Sequence, residues 1–327
     1  MRFPPLARVR LALGATVLCL PLAACGLVSG SPMTDDIQPG SVGKGKPLEG
    51  ARLTVTSKEF TEQIILGQIM GIAFKAAGAD VVDRTSIQGS IGAREAVRSG
   101  DADAMYEYTG TSWITDLGNS EPIVDPQEQW EAVRKADKAN GITWLPPARL
   151  NNTYALAVNP ATEKKYGIKN LSQVAELSKR DPGAVTLCVE SEFASRQDGL
   201  PGMQKKYGMN IPASNVRKMD GGIVYTELSS GRSCTFGEVY TTDGRIKALH
   251  LTVLDDDKNF FPNYNVAPEI NTKALEKYPA IPEVLAPITA KLDNAIAQEL
   301  NSKVAVQGQD PHTVALEWML AEGFVKD

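Results

Sequence analysis

Segments with the pattern of β-strands and segments with the pattern of α-helices alternate along most of this chain. Residues 53–56 alternate between apolar and polar side chains as a strand does, and residues 61–77 then repeat apolar side chains at helical spacing. The same order returns with a strand at 81–82, a helix at 91–99 and a strand at 103–105. Such alternation predicts an α/β layer fold with a mostly parallel sheet.

A second α/β series begins after residue 160. The pattern predicts, in order, helix 171–177, strand 185–189, helix 201–207, helix 221–228 and strand 235–240. The C-terminal part is rich in Ala and Leu, which predicts helical structure over 280–309 and 313–322. With 327 residues the chain has the length of two average domains, so it can accommodate both series.

The N-terminal stretch has the parts of a secretory signal peptide. Three arginines precede an apolar run over 11–22, and small residues follow it up to Cys25. Because about 12 apolar residues are too few to span a bilayer, this pattern predicts a cleaved signal over 1–24 rather than a membrane helix. We therefore expect the protein to be exported.

The sequence Leu-Ala-Ala-Cys-Gly at the end of this stretch resembles the bacterial lipobox. In a lipobox the cysteine is lipidated and becomes the new N-terminus, which implies that Cys25 anchors the protein. The alternative is a coincidental cysteine inside an ordinary signal peptide. The residues that follow are rich in Gly, Pro and Ser and show no apolar periodicity, so we predict a flexible tether over 25–50.

Two cysteines, Cys188 and Cys234, remain in the body of the chain. In the oxidising compartment that the signal peptide implies, the simplest expectation is one disulfide between them. The alternative is a pair of buried free thiols.

Charge and motif content argue against several classes of function. A net charge of −5 does not favour nucleic-acid binding, which needs a basic face to replace counterions. The chain has two histidines and lacks the nucleophile-elbow, phosphate-loop and zinc-protease motifs, so a catalytic lipoprotein is disfavoured. Asp255-Asp256-Asp257 lacks calcium-loop spacing and is interpreted as a solvated loop. We expect no enzyme, no cofactor and no metal.

Tyrosines recur where ligands of α/β proteins bind, beyond the carboxyl ends of strands. Five lie at predicted strand ends or in loops: Tyr106, Tyr108, Tyr154, Tyr240 and Tyr264. They predict an aromatic-lined site, and the alternative is that each is a half-buried packing residue. Residues 57–63 join a strand to a helix, where backbone N–H groups can receive an anion; an ordinary helix start is the alternative.

Four segments carry a resemblance to a known family. They are Ser57-Lys58-Glu59-Phe60-Thr61-Glu62-Gln63, Tyr106-Glu107-Tyr108-Thr109-Gly110-Thr111, Ser191-Glu192-Phe193-Ala194-Ser195-Arg196 with Asp198-Gly199-Leu200-Pro201-Gly202, and Tyr240-Thr241-Thr242-Asp243-Gly244. In this order they resemble segments of the glycine betaine/choline substrate-binding proteins of osmoprotectant ABC importers, over residues 53–324. The resemblance implies a periplasmic-binding-protein-like α/β fold, with two lobes joined by hinge strands and a ligand cleft between them.

The family's ligand site is a cage of aromatic rings around a quaternary ammonium group, with basic and hydroxyl groups around a carboxylate. By motif, the cage falls on four tyrosines, Tyr108, Tyr154, Tyr240 and Tyr264. The carboxylate partners fall on Lys58, Thr111 and Arg196. The alternative for the two cations is that they are surface residues. A trimethylammonium group has no N–H to donate, so aromatic faces can hold it where hydrogen-bond acceptors cannot.

The resemblance also implies a function and an organisation. We expect a monomeric, extracytoplasmic substrate-binding lipoprotein, anchored to the outer face of the cytoplasmic membrane. It would pass glycine betaine or a related quaternary ammonium osmoprotectant to the permease and ATPase subunits of an ABC importer. Together with the two α/β series, this predicts lobe one over 51–154 and 251–327, and lobe two over 155–250. The alternative is a sensory or scavenging lipoprotein for choline, carnitine or a planar aromatic ligand, which would need the same pocket.

Overall fold

The computed structural model describes residues 30–326, and β-strands occur throughout this part of the chain. In chain order the strands are β1 (Ser31–Pro32), β2 (Gln38–Pro39), β3 (Arg52–Lys58), β4 (Asp80–Ile87), β5 (Ala104–Tyr108), β6 (Ile142–Trp144), β7 (Tyr154–Val158), β8 (Leu187–Val189), β9 (Val216–Lys218), β10 (Phe236–Tyr240), β11 (Thr252–Val253), β12 (Val266–Asn271) and β13 (Val325–Lys326). The predicted signal peptide over 1–24 and the predicted lipidation site Cys25 lie outside the described residues.

Helices separate most of the strands. In chain order they are α1 (Thr61–Ala76), α2 (Ser90–Ser99), α3 (Thr109–Thr111), α4 (Pro126–Asp137), α5 (Pro160–Tyr166), α6 (Leu171–Arg180), α7 (Leu200–Tyr207), α8 (Gly221–Ser230), α9 (Arg245–Ala248), α10 (Thr272–Lys277), α11 (Ile281–Lys291), α12 (Asn294–Ala305) and α13 (Pro311–Ala321). Both predicted series are present, so the α/β fold class is confirmed. Among the described helices, none has the length and apolar character needed to cross a bilayer.

The C-terminal helical region differs from the prediction in one respect. Residues 280–309 form two helices, α11 and α12, rather than one continuous stretch. The chain becomes extended at Leu292, and the side chain of Asp293 then accepts a hydrogen bond from the Ile296 N–H at 3.1 Å. An aspartate in this position caps a new helix start. The composition predicted helix on both sides but gave no signal for this break.

The strands form two main sheets, and each sheet mixes parallel and antiparallel pairs. The first sheet has the order β1-β4-β3-β5-β12-β6, and the second has the order β11-β7-β10-β8-β9. In the first sheet β3 is parallel to β4 and β5, and in the second β8 is parallel to β9 and β10. However, β12 and β7 run antiparallel to their neighbours. The prediction of a mostly parallel sheet is therefore wrong.

The connectivity explains why β7 and β12 run against their neighbours. Each of them follows a segment in which the chain crosses from one sheet to the other. β7 begins at Tyr154, which pairs with Tyr240 at the end of β10. β12 begins at Val266, which pairs with Tyr108 at the end of β5. Strands β7 and β12 begin at the cleft, whereas β10 and β5 end there. The start of β7 therefore lies beside the end of β10, and the start of β12 beside the end of β5.

The two crossings lie close to the predicted lobe boundaries. The first lies between Trp144 and Tyr154, and the second between Val253 and Val266. Strand β11 pairs with β7 in the second sheet, a few residues beyond the predicted end of lobe two at 250. We keep lobe one as 51–154 with 251–327, and lobe two as 155–250, as a proposal about the two bodies that move.

The segment before β3 packs against the first sheet instead of forming a free tether. Met33, Val42 and Leu48 are buried. The Met33 N–H donates to the Val81 carbonyl at 2.9 Å, and β2 pairs with β13 at the other end of the chain. The flexible tether predicted over 25–50 is therefore wrong from residue 30 onward. Its few apolar residues are irregularly spaced, so no helical or strand periodicity indicates that they are buried.

A disulfide joins Cys188 and Cys234, with a Cα–Cα distance of 5.7 Å. Cys188 lies in β8 and pairs with Gly237 of the neighbouring strand β10. Cys234 lies just before β10 in the sequence. Both cysteines are buried in a small apolar cluster of the second sheet. The bond therefore closes a loop, with a sequence separation of 46, inside one sheet.

Replacing both cysteines by alanine should lower the free energy of unfolding by about 2–4 kcal/mol, because the unfolded chain regains the entropy of the open loop. Urea denaturation monitored by circular dichroism measures this change. Wild-type protein treated with reductant should unfold at nearly the same urea concentration as Cys188→Ala/Cys234→Ala, and the variant should not respond to reductant. Equal midpoints for oxidised and reduced wild type would contradict the prediction.

Candidate functional site

All seven residues that the sequence analysis assigned to a ligand line one pocket between the two sheets. They are Lys58, Tyr108, Thr111, Tyr154, Arg196, Tyr240 and Tyr264. Three of these residues end strands β3, β5 and β10, and Tyr154 begins β7. Tyr106 of the original five tyrosines is instead a core residue, 1% exposed, whose hydroxyl lies 2.9 Å from Thr289 Oγ1.

The aromatic rings of the pocket are in mutual contact. Tyr154 is the central ring, with its centroid 5.2 Å from that of Tyr240 and 5.4 Å from that of Tyr264. Phe60 stacks on Tyr240 with a centroid distance of 5.1 Å and an interplanar angle of 7°, and it lies 6.2 Å from Tyr108. The four tyrosines and Phe60 thus form one aromatic surface, to which both sheets and the second crossing segment contribute.

Acidic side chains hold three of the tyrosine hydroxyls. Tyr108 donates to Glu62 at 2.7 Å, Tyr240 to Glu190 at 2.8 Å and Tyr264 to Asp198 at 2.8 Å. Burial raises the pKa of each of these phenols well above its ordinary value, so they remain donors. The hydrogen bonds fix the planes of the rings, and the carboxylates add negative charge behind them. Both effects favour a cation at the ring faces.

The Lys58 ammonium already has hydrogen-bond partners within the protein. Its ammonium lies 2.7 Å from Glu107 Oε1 and donates to Ser90 Oγ at 3.3 Å. The Lys58 and Glu107 side chains are 5% and 0% exposed, which excludes the alternative of a surface cation. The ammonium also lies 4.7 Å from the centroid of the Tyr108 ring. Two of its three N–H groups are thus in use before any ligand enters.

Arg196 is equally buried and equally paired. Its guanidinium forms a two-pronged ion pair with Asp198, with the Nε–Oδ1 bond at 2.7 Å, and it lies 2.7 Å from Glu192 Oε1. A side-chain exposure of 5% excludes the surface alternative here as well. The guanidinium also packs 5.5 Å from the Tyr154 ring centroid and donates to Thr111 Oγ1 at 3.4 Å. Arg196 is therefore held beside the rings.

A second contact of Glu192 crosses the cleft. Ser90, the first residue of α2, donates its hydroxyl to Glu192 Oε1 at 2.6 Å and its backbone N–H to Oε2 at 3.2 Å. Burial alone would raise the pKa of Glu192, but the charges of Lys58 and Arg196 and the hydrogen bonds from Ser90 and Arg196 lower it to about 2. The carboxylate is therefore ionised at neutral pH.

A buried carboxylate, Glu62, collects hydrogen bonds from both sides of the cleft. It accepts from four groups: Tyr108 Oη at 2.7 Å, Asn152 Nδ2 at 2.9 Å, Thr242 Oγ1 at 2.6 Å and Asn301 Nδ2 at 3.0 Å. These donors come from β5, from the first crossing segment, from the chain after β10 and from α12. Burial raises the pKa of Glu62, although all four hydrogen bonds act to lower it. Glu62 thus ties the first sheet to the second beside the rings.

Sequence reasoning missed Phe60, Ser90, Glu192 and Glu62 as functional candidates. Phe60, Glu62 and Glu192 all stand inside segments that carried the family resemblance, so position was the available signal. Ser90 gave a weaker signal, because it directly precedes the helix predicted over 91–99 and serine is common at a helix start. Their roles depend on partners in distant parts of the chain: Ser90 and Glu192 are 102 positions apart, and Glu62 and Thr242 are 180 apart.

The chain is similar to known solute-binding proteins over most of its length. Residues 51–321 match the OpuAC family, described as "Substrate binding domain of ABC-type glycine betaine transport system". A glycine-betaine-binding protein of Pseudomonas aeruginosa is 38% identical over 280 residues, which cover 84% of this chain and 89% of that protein. Glycine betaine-binding protein YehZ of Escherichia coli is 31% identical over 289 residues, covering 86% and 94% of the two chains.

Solved structures show the same architecture. The crystal structure of a glycine betaine/carnitine/choline ABC transporter protein aligns with a TM-score of 0.67 and 28% identity, covering 83% of this chain and 99% of that one. This likeness confirms the predicted two-lobed fold of periplasmic binding proteins. The pocket described above lies between the two sheets of that fold.

Proposed function

This chain belongs to the family of substrate-binding domains of ABC-type glycine betaine transport systems, and on that premise we propose that it binds glycine betaine or a related quaternary ammonium compound in its cleft. Members of the family are extracytoplasmic solute-binding proteins that serve ABC importers together with permease and ATPase components. They are not enzymes.

The observation that carries the proposal is the meeting of five aromatic rings in one pocket. Phe60 and the four tyrosines come from distant parts of the chain, and three of the hydroxyls are held by carboxylates. A quaternary ammonium group is bound by such faces at roughly 0.5–2 kcal/mol each once water is excluded. Four faces supply several kcal/mol, enough for micromolar binding after the costs of association.

The polar end of the pocket supports a ligand that also carries a carboxylate. Arg196, Lys58, Thr111 and the start of α2 at Ser90 lie together beside the rings. Guanidinium, ammonium, hydroxyl and helix-start N–H groups are the usual partners of a carboxylate. Glycine betaine has both groups, a cationic head and a carboxylate, within one small molecule.

Calorimetric titration with glycine betaine, choline and carnitine tests the proposal directly. We expect micromolar binding of glycine betaine, because both ends of the ligand find partners. The matched control ligand is 3,3-dimethylbutyrate, which keeps the shape and the carboxylate of betaine but replaces the charged nitrogen with carbon. It should bind at least roughly tenfold more weakly, since it lacks the attraction of a cation for the ring faces. Equal binding of the two compounds would contradict the cage.

Lobe closure should depend on the hydrogen bond from Thr242 to Glu62. Thr242→Val keeps the shape of the side chain but removes a bond to a charged group, typically about 1.5–3 kcal/mol. We expect roughly tenfold or greater loss of betaine affinity and less compaction on ligand binding, measured by titration and small-angle X-ray scattering.

The control for Thr242→Val is Thr241→Val, one residue earlier and facing a different part of the surface. It should bind and close like the wild type. If Thr242→Val also behaves like the wild type, Glu62 does not hold the lobes together.

We further propose that the exported protein is a monomer attached to the outer face of the cytoplasmic membrane through a lipid on Cys25, after cleavage of residues 1–24. The lipobox-like sequence supports this. In cells, wild-type protein should fractionate with membranes, and Cys25→Ala should be released in soluble form. A wild-type protein found free of membranes would rule out the anchor.

A further inference from the structure

The Glu192 carboxylate lies in surroundings suited to a carboxylate ligand. Arg196 contacts one of its oxygens at 2.7 Å, and Ser90 donates a hydroxyl at 2.6 Å and a backbone N–H at 3.2 Å. Lys58 lies behind Ser90, with its ammonium 3.3 Å from the serine oxygen. These donors come from both sides of the cleft and surround a single acidic group, so they form an anion subsite that the protein fills with its own side chain.

The two cations nearest to Glu192 each have another, more deeply buried acidic partner. Lys58 is neutralised by Glu107, which is 0% exposed, and Arg196 by Asp198, which is 2% exposed. Glu192 adds one further negative charge, and its side chain is 30% exposed. It lies among turns between β8 and α7, not in a strand or helix. Glu107 and Asp198 are therefore fixed partners, whereas Glu192 is placed so that it can leave.

We propose that Glu192 is a tethered competitor that occupies the carboxylate subsite in the ligand-free protein and thereby sets the preference between zwitterionic and purely cationic quaternary ammonium ligands. A ligand with a carboxylate must displace Glu192, and the subsite then keeps the same net charge. A ligand such as choline leaves Glu192 in place and gains from its negative charge beside the rings. This inference rests on the proposed function and deepens it.

Glu192→Gln tests the proposal by separating the two kinds of ligand. The amide keeps the size of the side chain but binds Arg196 and the start of α2 more weakly than a carboxylate does. We expect betaine affinity to rise by roughly threefold or more and choline affinity to fall by a similar factor. The ratio of the two dissociation constants should then change by roughly tenfold, as measured by calorimetry at constant ionic strength.

The matched control is Glu59→Gln. Glu59 lines the same pocket, but its carboxylate accepts from Gln88 at 2.7 Å and from the Gly89 N–H at 2.9 Å on its own side of the cleft. This variant removes the same unit of charge without freeing Arg196. The betaine-to-choline ratio should therefore change much less than in Glu192→Gln. Equal changes in the two variants would mean that the loss of any negative charge in the pocket shifts the ratio. That result would overturn the proposal.

Wild-type protein supplies an independent measurement should Glu192→Gln fold poorly. The carboxyl carbon of Glu192 can be followed by ¹³C NMR in the wild type and identified by sequential assignment of its own spectrum. Saturating betaine should shift this resonance strongly, because the carboxylate leaves its partners, and saturating choline should shift it little. Equal shifts, or none with betaine, would refute displacement. If the wild type binds neither ligand, the proposed function fails and this inference fails with it, whereas betaine binding that leaves the resonance unshifted overturns this inference alone.

Discussion

Replacing Tyr240 with alanine is expected to weaken binding of both glycine betaine and choline, by roughly tenfold or more for each ligand. The ring of Tyr240 stacks on Phe60 at 5.1 Å and contacts Tyr154 at 5.2 Å, so its loss removes one face and opens the neighbouring faces to water. A desolvated face contributes up to about 2 kcal/mol to binding a cation. Because both ligands share the cationic head, both should lose affinity.

Tyr240→Phe separates the ring from its hydroxyl. This control keeps the stacked face and removes only the hydrogen bond to Glu190 at 2.8 Å. It should bind both ligands within a few-fold of the wild type. Tyr240 is also the best tyrosine for this test, because it is only partly buried and its truncation costs the fold less than truncating Tyr154 would. Equal losses in Tyr240→Phe and Tyr240→Ala would mean that the ring face is not what holds the cation.

Lys58→Met is expected to destabilise the fold by about 3–5 kcal/mol, because it leaves the Glu107 carboxylate buried without its counter-ion. Glu107 is 0% exposed and its Oε1 already accepts the Tyr108 N–H at 2.6 Å, so the carboxylate cannot move out to water. Urea denaturation of ligand-free protein measures the loss. A change in betaine affinity caused by a Lys58 variant therefore has to be compared with this loss of folding stability.

The double variant Lys58→Met/Glu107→Gln provides the control. Removing both charges leaves an uncharged amide that can still accept the Tyr108 N–H, so much of the lost stability should return. With the double variant, the contribution of the Lys58 ammonium to betaine binding can be measured against choline without the stability defect. If the single variant is as stable as the wild type, the Lys58–Glu107 pair does not carry the structural role assigned to it.

The sequence predicted those features that depend on local order. Strand and helix patterns gave both α/β series, and the tyrosines at strand ends pointed to the cleft because strand ends meet there. Phe60 lies between Lys58 and Glu62, but an aromatic residue in a turn does not by itself indicate a ligand-binding ring, so the sequence did not predict its role. The mixed sheets were also missed, because strand direction depends on where the chain re-enters a sheet.

The charged partners could not be predicted in the same way. Lys58 and Glu107 lie 49 positions apart, and the two residues of the Ser90–Glu192 contact lie 102 apart. Neither pairing has a local signature, and a lysine or glutamate in a turn is usually solvated. Lys58 and Arg196 line the pocket, but the sequence did not predict their buried acidic partners, which determine how much charge a ligand meets.

The packing of residues 31–50 on the first sheet has a consequence for where the protein can travel. Strand β1 starts at Ser31 and pairs with β4, so the folded body begins within a few residues of Cys25. With the lipid on Cys25 as proposed, five residue steps reach Gly30 and span at most about 18 Å. A linker of this length keeps the folded protein near the bilayer. The protein then meets the permease by diffusion along the membrane surface, where its effective concentration near the permease is high.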